Sequence, residues 1–452
     1  MDITTKAFGA YDLRGVYPQE VNEELYYRIG RVFPALFRAK QVAVGHDIRL
    51  SGESLSEALM KGLTEAGCGV VNVGLCGTEM IYHAADKMDG GMMVTASHNP
   101  KEYNGLKLVK RGAVPLDKGE LKALAEAVQE GAGLPPIAAV PAEVEKKDIM
   151  EDYLDRILSF VDVKALKPLK IVANSGNGSA GPVVEAISKY LPFEIIPVYG
   201  EPDGSFPHGV PNPLLPENRE ATSRAVVKYG ADFGVAWDGD FDRCFLYDEK
   251  GSFIEGYYMV GFLAQAFLVK NKGARVVYDP RCTWNTIELV KEAGGEPVIC
   301  KGGHAFIKAK MREIDAIYGG EMSAHHYFRE FSYCDSGMIP WLLVAELMSR
   351  RNAGLSVLLR ERMDKFPVSG EINTKLECAE KAAQILETVE KCYSEQAREI
   401  LHLDGLSMDL GDWRFNVRCS NTEPLIRLNV EARDDAALCR AKTAELLELI
   451  RK

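Results

Sequence analysis

The chain has 452 residues, room for roughly three or four domains at about one to two hundred residues each, and 46% hydrophobic with 26% charged residues is a soluble globular balance. A net charge of −11 argues against a nucleic-acid partner, which would want a basic field, while still allowing a few local arginines to hold a small anion. The start Met1-Asp2-Ile3-Thr4-Thr5-Lys6 lacks an apolar signal core and no stretch approaches the roughly eighteen apolar residues of a membrane helix, so a cytoplasmic protein without a membrane partner is expected.

Phe8-Gly9-Ala10-Tyr11-Asp12-Leu13-Arg14-Gly15 opens the chain as a polar, glycine-flanked segment too short for a domain. An alternation then sets in. Val42 to Gly45 reads as a strand, Leu55 to Ala66 as a helix stopped by Gly67, Val70 to Val73 as a strand, Met80 to Met88 as a short helix and Met92 to Thr95 as a strand. This βαβ order predicts a mostly parallel sheet. The apolar run Gly91 to Thr95 stops at Ala96-Ser97-His98-Asn99-Pro100, which Pro100 keeps from becoming helix at once. Ser97 is thereby expected to be exposed at the carboxyl end of a strand, where open α/β sheets bind ligands. A serine beside a histidine suits a nucleophile beside its base or a phosphate carrier; a solvated turn is the plain alternative. A helix from Gly119 to about Glu130 and the run Gly131 to Pro136, which reads as a linker, end this unit.

The second unit follows a bridging helix near Tyr153. Leu169 to Ala173 reads as a strand, Pro182 to Tyr190 as a helix, Glu194 to Val198 as a strand and Arg219 to Tyr229 as a helix. Phe233 to Trp237 is then a strand running into Asp238-Gly239-Asp240-Phe241-Asp242-Arg243. In the third unit Tyr258 to Val269, Trp284 to Ala293 and Ala305 to Arg312 read as helices, and Arg275 to Tyr278, Pro297 to Cys300 and Ala316 to Tyr318 as strands. The last strand enters Gly319-Gly320-Glu321-Met322-Ser323-Ala324-His325-His326. From about Pro367 the pattern changes: Leu406 to Asp409, Phe415 to Arg418 and Ile426 to Val430 alternate like strands, and a helix from Ala436 to Arg451 ends the chain. The three α/β units share organisation without detectable sequence repetition. The ten cysteines are scattered with no Cys-x-x-Cys pair, which points to reduced, mostly buried apolar side chains.

Three carboxylates at every second position, Asp238, Asp240 and Asp242, repel one another unless a cation neutralises them, and all-oxygen ligands select Mg²⁺ or Ca²⁺. With Glu249 these residues also match positions 1, 3, 5 and 12 of an EF-hand loop, but Arg243 stands where that loop needs glycine and apolar strand-like residues flank it. A solvated acidic turn is the remaining alternative. Gly176-Asn177-Gly178-Ser179-Ala180-Gly181 spells G-x-G-x-x-G between a strand and a helix, with Glu201 or Asp203 downstream, which is the basis of a dinucleotide-binding reading. Against it, Ser97, the aspartates and Glu321 offer no hydride chemistry, and the glycines could serve a tight turn and a close strand-to-helix approach.

Together these motifs resemble the α-D-phosphohexomutases over essentially the whole chain. Thr95 to Pro100 resembles the phosphoserine loop, Asp238 to Arg243 the metal loop, Gly320 to His325 the sugar-binding loop and Arg418 to Pro424 the phosphate-binding loop. The glycine run at Gly176 also has a family counterpart that is no nucleotide site. The resemblance implies three consecutive α/β mixed-sheet domains (1–148, 149–254 and 255–366) and a C-terminal α+β domain (367–452) around a central cleft. It further implies a cytoplasmic isomerase with a hexose phosphate substrate, one Mg²⁺ per chain and a hexose bisphosphate intermediate, with monomer and homodimer both open. Within it Ser97 would carry the phosphate, and Ser97, Asp238, Asp240 and Asp242 would hold the metal beside Arg243. Glu321 and Ser323 would bind the sugar hydroxyls, and Arg418, Ser420, Asn421 and Thr422 the phosphate that is not reacting. Tyr11, Arg14 and Lys107 resemble residues reaching the reacting groups. His98, His304 and His325 are candidates for proton transfer, and Arg281 and Lys301 for phosphate binding. The family interconverts sugar 1- and 6-phosphates, and the variant Ala324-His325-His326, where Gly-His often stands, resembles the mannose enzymes of capsule and O-antigen pathways. Mannose and glucose differ at one hydroxyl, so a glucose reaction is the runner-up. A non-catalytic phosphosugar-binding protein is the competing class, disfavoured by the retained serine and aspartates.

Overall fold

The computed structural model describes residues 5–9, 11–129, 133–378, 380–419 and 425–451. The chain forms two units, residues 1–253 with 325–352, and residues 254–324 with 353–452.

In the first unit one sheet runs in the order Leu13–Val16, Tyr103–Lys110, Gly90–Val94, Gln41–His46, Gly69–Leu75, Val144–Lys146. Its centre is parallel, as the alternation predicts. The expectation of a mostly parallel sheet is corrected at one end, where Tyr103–Lys110 runs antiparallel to both Gly90–Val94 and Leu13–Val16. Gly90–Val94 is buried at all five positions, as a strand covered on both faces should be. The helix Glu23–Phe37, unmarked in the sequence reading, starts where the Asn22 side chain accepts from the Leu25 amide, with Glu23 and Glu24 in its first turn. It crosses the helix Gly52–Glu65 at two glycines. A Cβ on Gly30 would meet Leu59 O at 2.3 Å and one on Gly62 would meet Tyr27 O at 2.1 Å, so only glycine lets these backbones approach. The core between them gathers Leu25, Ile29, Phe33, Leu55, Leu59 and Leu63 with Val42, Val44, Met92 and Val94.

A second sheet includes, in order, Cys244–Tyr247, Phe233–Trp237, Lys170–Asn174 and Glu194–Val198; the first two of these are antiparallel and the others parallel neighbours. The hairpin His326–Phe328 with Cys334–Asp335 and the helix Met338–Arg351 also belong to the first unit.

In the second unit Glu296–Ile299, Arg275–Tyr278 and Tyr318–Gly320 are parallel neighbours. The last begins two residues later than Ala316. An antiparallel sheet follows, ordered Ile372–Lys375, Leu425–Ala432, Trp413–Cys419, Leu406–Asp409, Glu399–Leu401. The helices Glu380–Tyr393 and Ala436–Arg451 cover its apolar face through Val389, Tyr393, Leu446 and Ile450. All ten cysteines are free thiols; seven are buried, whereas Cys378 and Cys392 are exposed and Cys419 is partly so.

Candidate active site

Ser97 follows the buried strand Gly90–Val94 and is itself 3% exposed, which corrects the expectation of an exposed serine. The chain turns inward there: Ser97 has φ +51°, a left-handed conformation for a residue with a Cβ, and its amide donates to Thr95 Oγ1 (2.8 Å). Its hydroxyl donates to Asp238 Oδ2 (2.8 Å) and lies 3.0 Å from His98 Nδ1. Arg243 donates to Asp238 Oδ2 from Nε (2.8 Å) and Nη2 (2.7 Å), and Nη2 also faces His98 Nδ1. A guanidinium can only donate, so Nδ1 is an acceptor and the imidazole is neutral. Burial first, then Arg243 and Arg14, pushes the His98 pKa well below the ordinary value, in the same sense.

The three aspartates lie in the turn between Phe233–Trp237 and Cys244–Tyr247, buried to 2% exposure or less. Strands flank this turn, so the EF-hand alternative, which needs helices, falls away. The Lys107 ammonium, from the antiparallel strand Tyr103–Lys110, bridges Asp240 Oδ2 (2.6 Å) and Asp242 Oδ2 (2.5 Å). Thr78 Oγ1 donates to the same Asp240 oxygen. Burial alone would raise Asp240, but Lys107, Thr78 and Arg14 hold it below the usual carboxylate range. Burial and the neighbouring Asp240 push Asp242 the other way. Burial would lower Lys107 too; the two aspartates override it and keep the ammonium charged. Asp240 Oδ1 and Asp242 Oδ1 are buried without a hydrogen-bond partner. His325 Nε2 stands 3.7 Å from Asp242 Oδ1.

The glycine run of the dinucleotide reading lies behind this turn. The Ser179 amide donates to Gly239 O (3.0 Å), and a Cβ on Gly178 would meet that oxygen at 2.9 Å. A Cβ on Gly239 would in turn meet Ser97 O at 2.7 Å. The glycines thus allow three backbones to stack, from Gly178 through Gly239 to Ser97, and Gly181 lets a helix approach Gly200 O in the way a close strand-to-helix passage requires.

Arg14 donates to Asp12 Oδ2 (2.9 Å) and Asn99 Oδ1 (2.7 Å), which ties it to the serine loop. Tyr11 is half-buried nearby in the chain. Thr78 and Arg49, a buried arginine whose guanidinium donates to backbone carbonyls of the serine loop, were not singled out from sequence. The only sequence signal is Asp47-Ile48-Arg49 just past the strand Gln41–His46, a polar pair at a parallel strand's carboxyl end.

In the second unit the candidates Arg281 and Arg418, with Arg427, which the sequence did not single out, gather around Glu371. Arg281 Nη1 (2.9 Å), Arg418 Nη2 (3.3 Å) and Arg427 Nη1 (3.4 Å) all reach its carboxylate. Burial would raise Glu371, but the three guanidiniums bring it down to about 2. Arg281 is buried and commits further donors to Asp279, so its partners here are internal carboxylates. Glu321 is buried, accepts from the Gly303 amide (2.7 Å) and lies 3.7 Å from Arg281. Lys301 sits over the Phe306 ring (5.1 Å), His304 starts the helix His304–Ile314, and Ser323 is half-buried in the Glu321 loop. Ala324 has φ +67°, the left-handed region, at the position where the family often has glycine. Ser420, Asn421 and Thr422 lie outside the described residues.

The structure thus holds an acidic centre with a serine hydroxyl inside it and a basic centre around Glu371, and fixed charges of this kind can stabilise charged oxygen groups. Four family models match the chain in succession: the phosphoglucomutase/phosphomannomutase alpha/beta/alpha domains I (5–133), II (151–251) and III (255–366), and the C-terminal domain (371–447). A protein of Xanthomonas campestris pv. campestris described as phosphohexose mutases is 55% identical, covering 99% of this chain and all of the relative. A phosphomannomutase of Escherichia coli K12 is 52% identical, with 98% of each chain covered. The crystal structure of a phosphoglucomutase/phosphomannomutase family protein from Burkholderia thailandensis superposes with a TM-score of 0.88 at 32% identity, over 99% of this chain and 98% of that one. The chain belongs to the phosphoglucomutase/phosphomannomutase family of the α-D-phosphohexomutase superfamily and is an enzyme of the isomerase class. Among the described residues no helix is long and apolar enough to cross a membrane.

Proposed function

We propose that the enzyme is a phosphomannomutase interconverting mannose 6-phosphate and mannose 1-phosphate, through a phosphoserine at Ser97 and a bisphosphorylated sugar, and that it supplies GDP-mannose synthesis in the cytoplasm. The observation that carries this reading is the Ser97 hydroxyl set 2.8 Å from Asp238 inside the aspartate cluster. Phosphoryl transfer asks for positioning and charge stabilisation, and both are supplied here by fixed groups.

The buried, unpartnered oxygens Asp240 Oδ1 and Asp242 Oδ1, with Asp238, fit a hard cation. Asp238, Asp240, Asp242 and the oxygen on Ser97 would hold Mg²⁺, which when bound supplies charge neutralisation to the phosphoryl oxygens. Arg243 adds a planar donor fixed by Asp238. In the forward step the Ser97 Oγ–P bond breaks as a P–O bond forms to the sugar hydroxyl, and that hydroxyl's proton leaves to a nearby base. His98, held neutral, and His325 are the candidates, and Lys107 stays charged beside the reacting groups. Tyr11 and Arg14 would reach toward the reacting groups, Arg14 being held to the serine loop through Asn99. Domain roles follow: 1–148 presents the serine, 149–254 the metal, 255–366 the sugar loop with Glu321, Ser323, Lys301 and His304, and 367–452 the Arg418 phosphate loop. A glucose phosphate reaction is the second reading, favoured by the family's breadth and by the unspecific naming of the Xanthomonas relative.

The test is intact-protein mass spectrometry with peptide mapping across residues 95–107, before and after mannose 6-phosphate. One phosphate on Ser97 that exchanges with the substrate pool is expected; its absence even with bisphosphate primer overturns the reading.

A further inference from the structure

Arg49 is 3% exposed and donates to four carbonyls, three in the serine loop and one at the start of the strand that follows it: Ser97 O (2.9 Å) and Asn99 O (2.7 Å) from Nη2, Pro100 O (2.8 Å) and Tyr103 O (2.7 Å) from Nη1. Side chains seldom collect so many backbone acceptors, and a planar fork is the group able to do it in fixed directions. Its counter-ion is Asp47, 1% exposed, with Oδ2 at 3.5 Å from Arg49 Nε and Oδ1 accepting the Arg49 amide (3.0 Å). Asp47 works on the other side of the loop. Its Oδ2 accepts from Thr95 Oγ1 (2.6 Å), and Thr95 Oγ1 accepts the Ser97 amide (2.8 Å). The Asp47 amide also donates to Val94 O (3.0 Å), so the pair is anchored to the strand that delivers the loop. Phe206 closes over the guanidinium, its ring centroid 5.5 Å from Cζ.

We infer that the Asp47–Arg49 pair is the positioning element that holds Ser97 in its left-handed conformation, with the hydroxyl aimed at Asp238, so that phosphoryl transfer is in line. The inference rests on the phosphoserine reading above. Ser97 stays at φ +51° only if its surroundings over-determine it, and the pair grips the residue directly at its carbonyl and, through Thr95, at its amide. Neither residue touches the transferring group, so the effect belongs to geometry, where about 1 Å of misplacement is worth about a hundredfold in rate.

The test compares Arg49→Lys and Asp47→Asn with the wild-type enzyme. R49K keeps the charge and loses the fork; D47N keeps the shape and loses the counter-ion. Expected is a fall in kcat of at least about a hundredfold with KM within about threefold, the pattern of an interaction used in the transition state. The ³¹P resonance of the phosphoserine should shift or broaden in both variants. If R49K fails to fold, D47N must show this split by itself. Folded variants with wild-type kcat and an unchanged ³¹P signal overturn the inference, as does a loss confined to KM. A wild-type enzyme without phosphoserine would instead sink the parent reading, so the two failures are distinguishable.

Discussion

The two units solve one electrostatic problem with opposite signs. In the first, three buried carboxylates converge and the Lys107 ammonium stands between two of them, with Arg243 on the third. In the second, three guanidiniums converge on the single carboxylate of Glu371. On the proposed function each centre would take a ligand of the other charge, and each already carries a side chain of that ligand's sign. The lesson is that a site for a cation or a phosphate must also be stable when empty, because unpaired buried charge is costly.

Removing the chemistry breaks the comparison most severely. Ser97→Ala should abolish turnover while hexose phosphate binding persists, checked by a mutase assay beside calorimetry; full activity would refute the carrier role. Asp240→Asn should lower kcat by at least about a hundredfold, since removing even an outer-shell partner of a metal commonly costs 10–100-fold, and chelator should abolish what remains. Lys107→Met leaves two buried carboxylates unbalanced. It should destabilise the protein by about 3–5 kcal/mol in chelator, with added Mg²⁺ raising its Tm more than it raises the wild type's. Equal Mg²⁺ responses would show that Lys107 is no stand-in for the cation.

Proton linkage sharpens the contrast through two glutamates. Glu79 accepts from Ser336, Tyr153 and the Gly337 and Met338 amides at the start of the helix Met338–Arg351, all neutral donors, and burial pushes it up to about 8. A carboxyl raised on folding contributes stability that is full below about 4.5 and is lost as pH rises through about 8. Wild-type unfolding free energy should therefore fall relative to that of Glu79→Gln between pH 5 and 8, by up to about 1.4 kcal/mol per pH unit, read from denaturant titrations. Glu371 is the reverse case: its lowered value contributes stability present above about 4.5 and lost as pH falls toward about 2. Glu371→Gln should flatten that acid limb. Near neutral pH it should cost only about 1–3 kcal/mol, because Arg281 keeps Asp279 and Arg418 keeps Asp404 at 3.7 Å. Inorganic phosphate should restore more Tm to this variant than to the wild type.

Much of this was legible in the residues. Glu194–Val198, Phe233–Trp237, Arg275–Tyr278 and Ala436–Arg451 stand where the periodicity puts them, and Ser97, Lys107, the aspartates and Arg243 are brought into one cluster. The strand Tyr103–Lys110 was hidden by its own function. Lys107 interrupts its apolar pattern to reach the aspartates, and Gly105 reads as a turn although its missing Cβ makes room for Leu13 O at 2.2 Å. Tyr318–Gly320 was misplaced by two residues for the same reason, two glycines in a strand. Pro34 and Pro340 obscured the helices Glu23–Phe37 and Met338–Arg351. Burial of Ser97, the Arg49 grip and the role of Glu371 are products of tertiary assembly, since their partners lie up to 141 residues away in sequence and carry no local pattern.

The stack of Gly178, Gly239 and Ser97 also has a genetic consequence. Where backbone rests on backbone there is no neighbouring side chain to shorten, so a second mutation elsewhere has nothing to trim in compensation. Selection for regained activity after Gly239→Ala should return glycine at that codon and few intragenic suppressors, whereas losses in the arginine centre, made of long flexible side chains, should be suppressible from several positions.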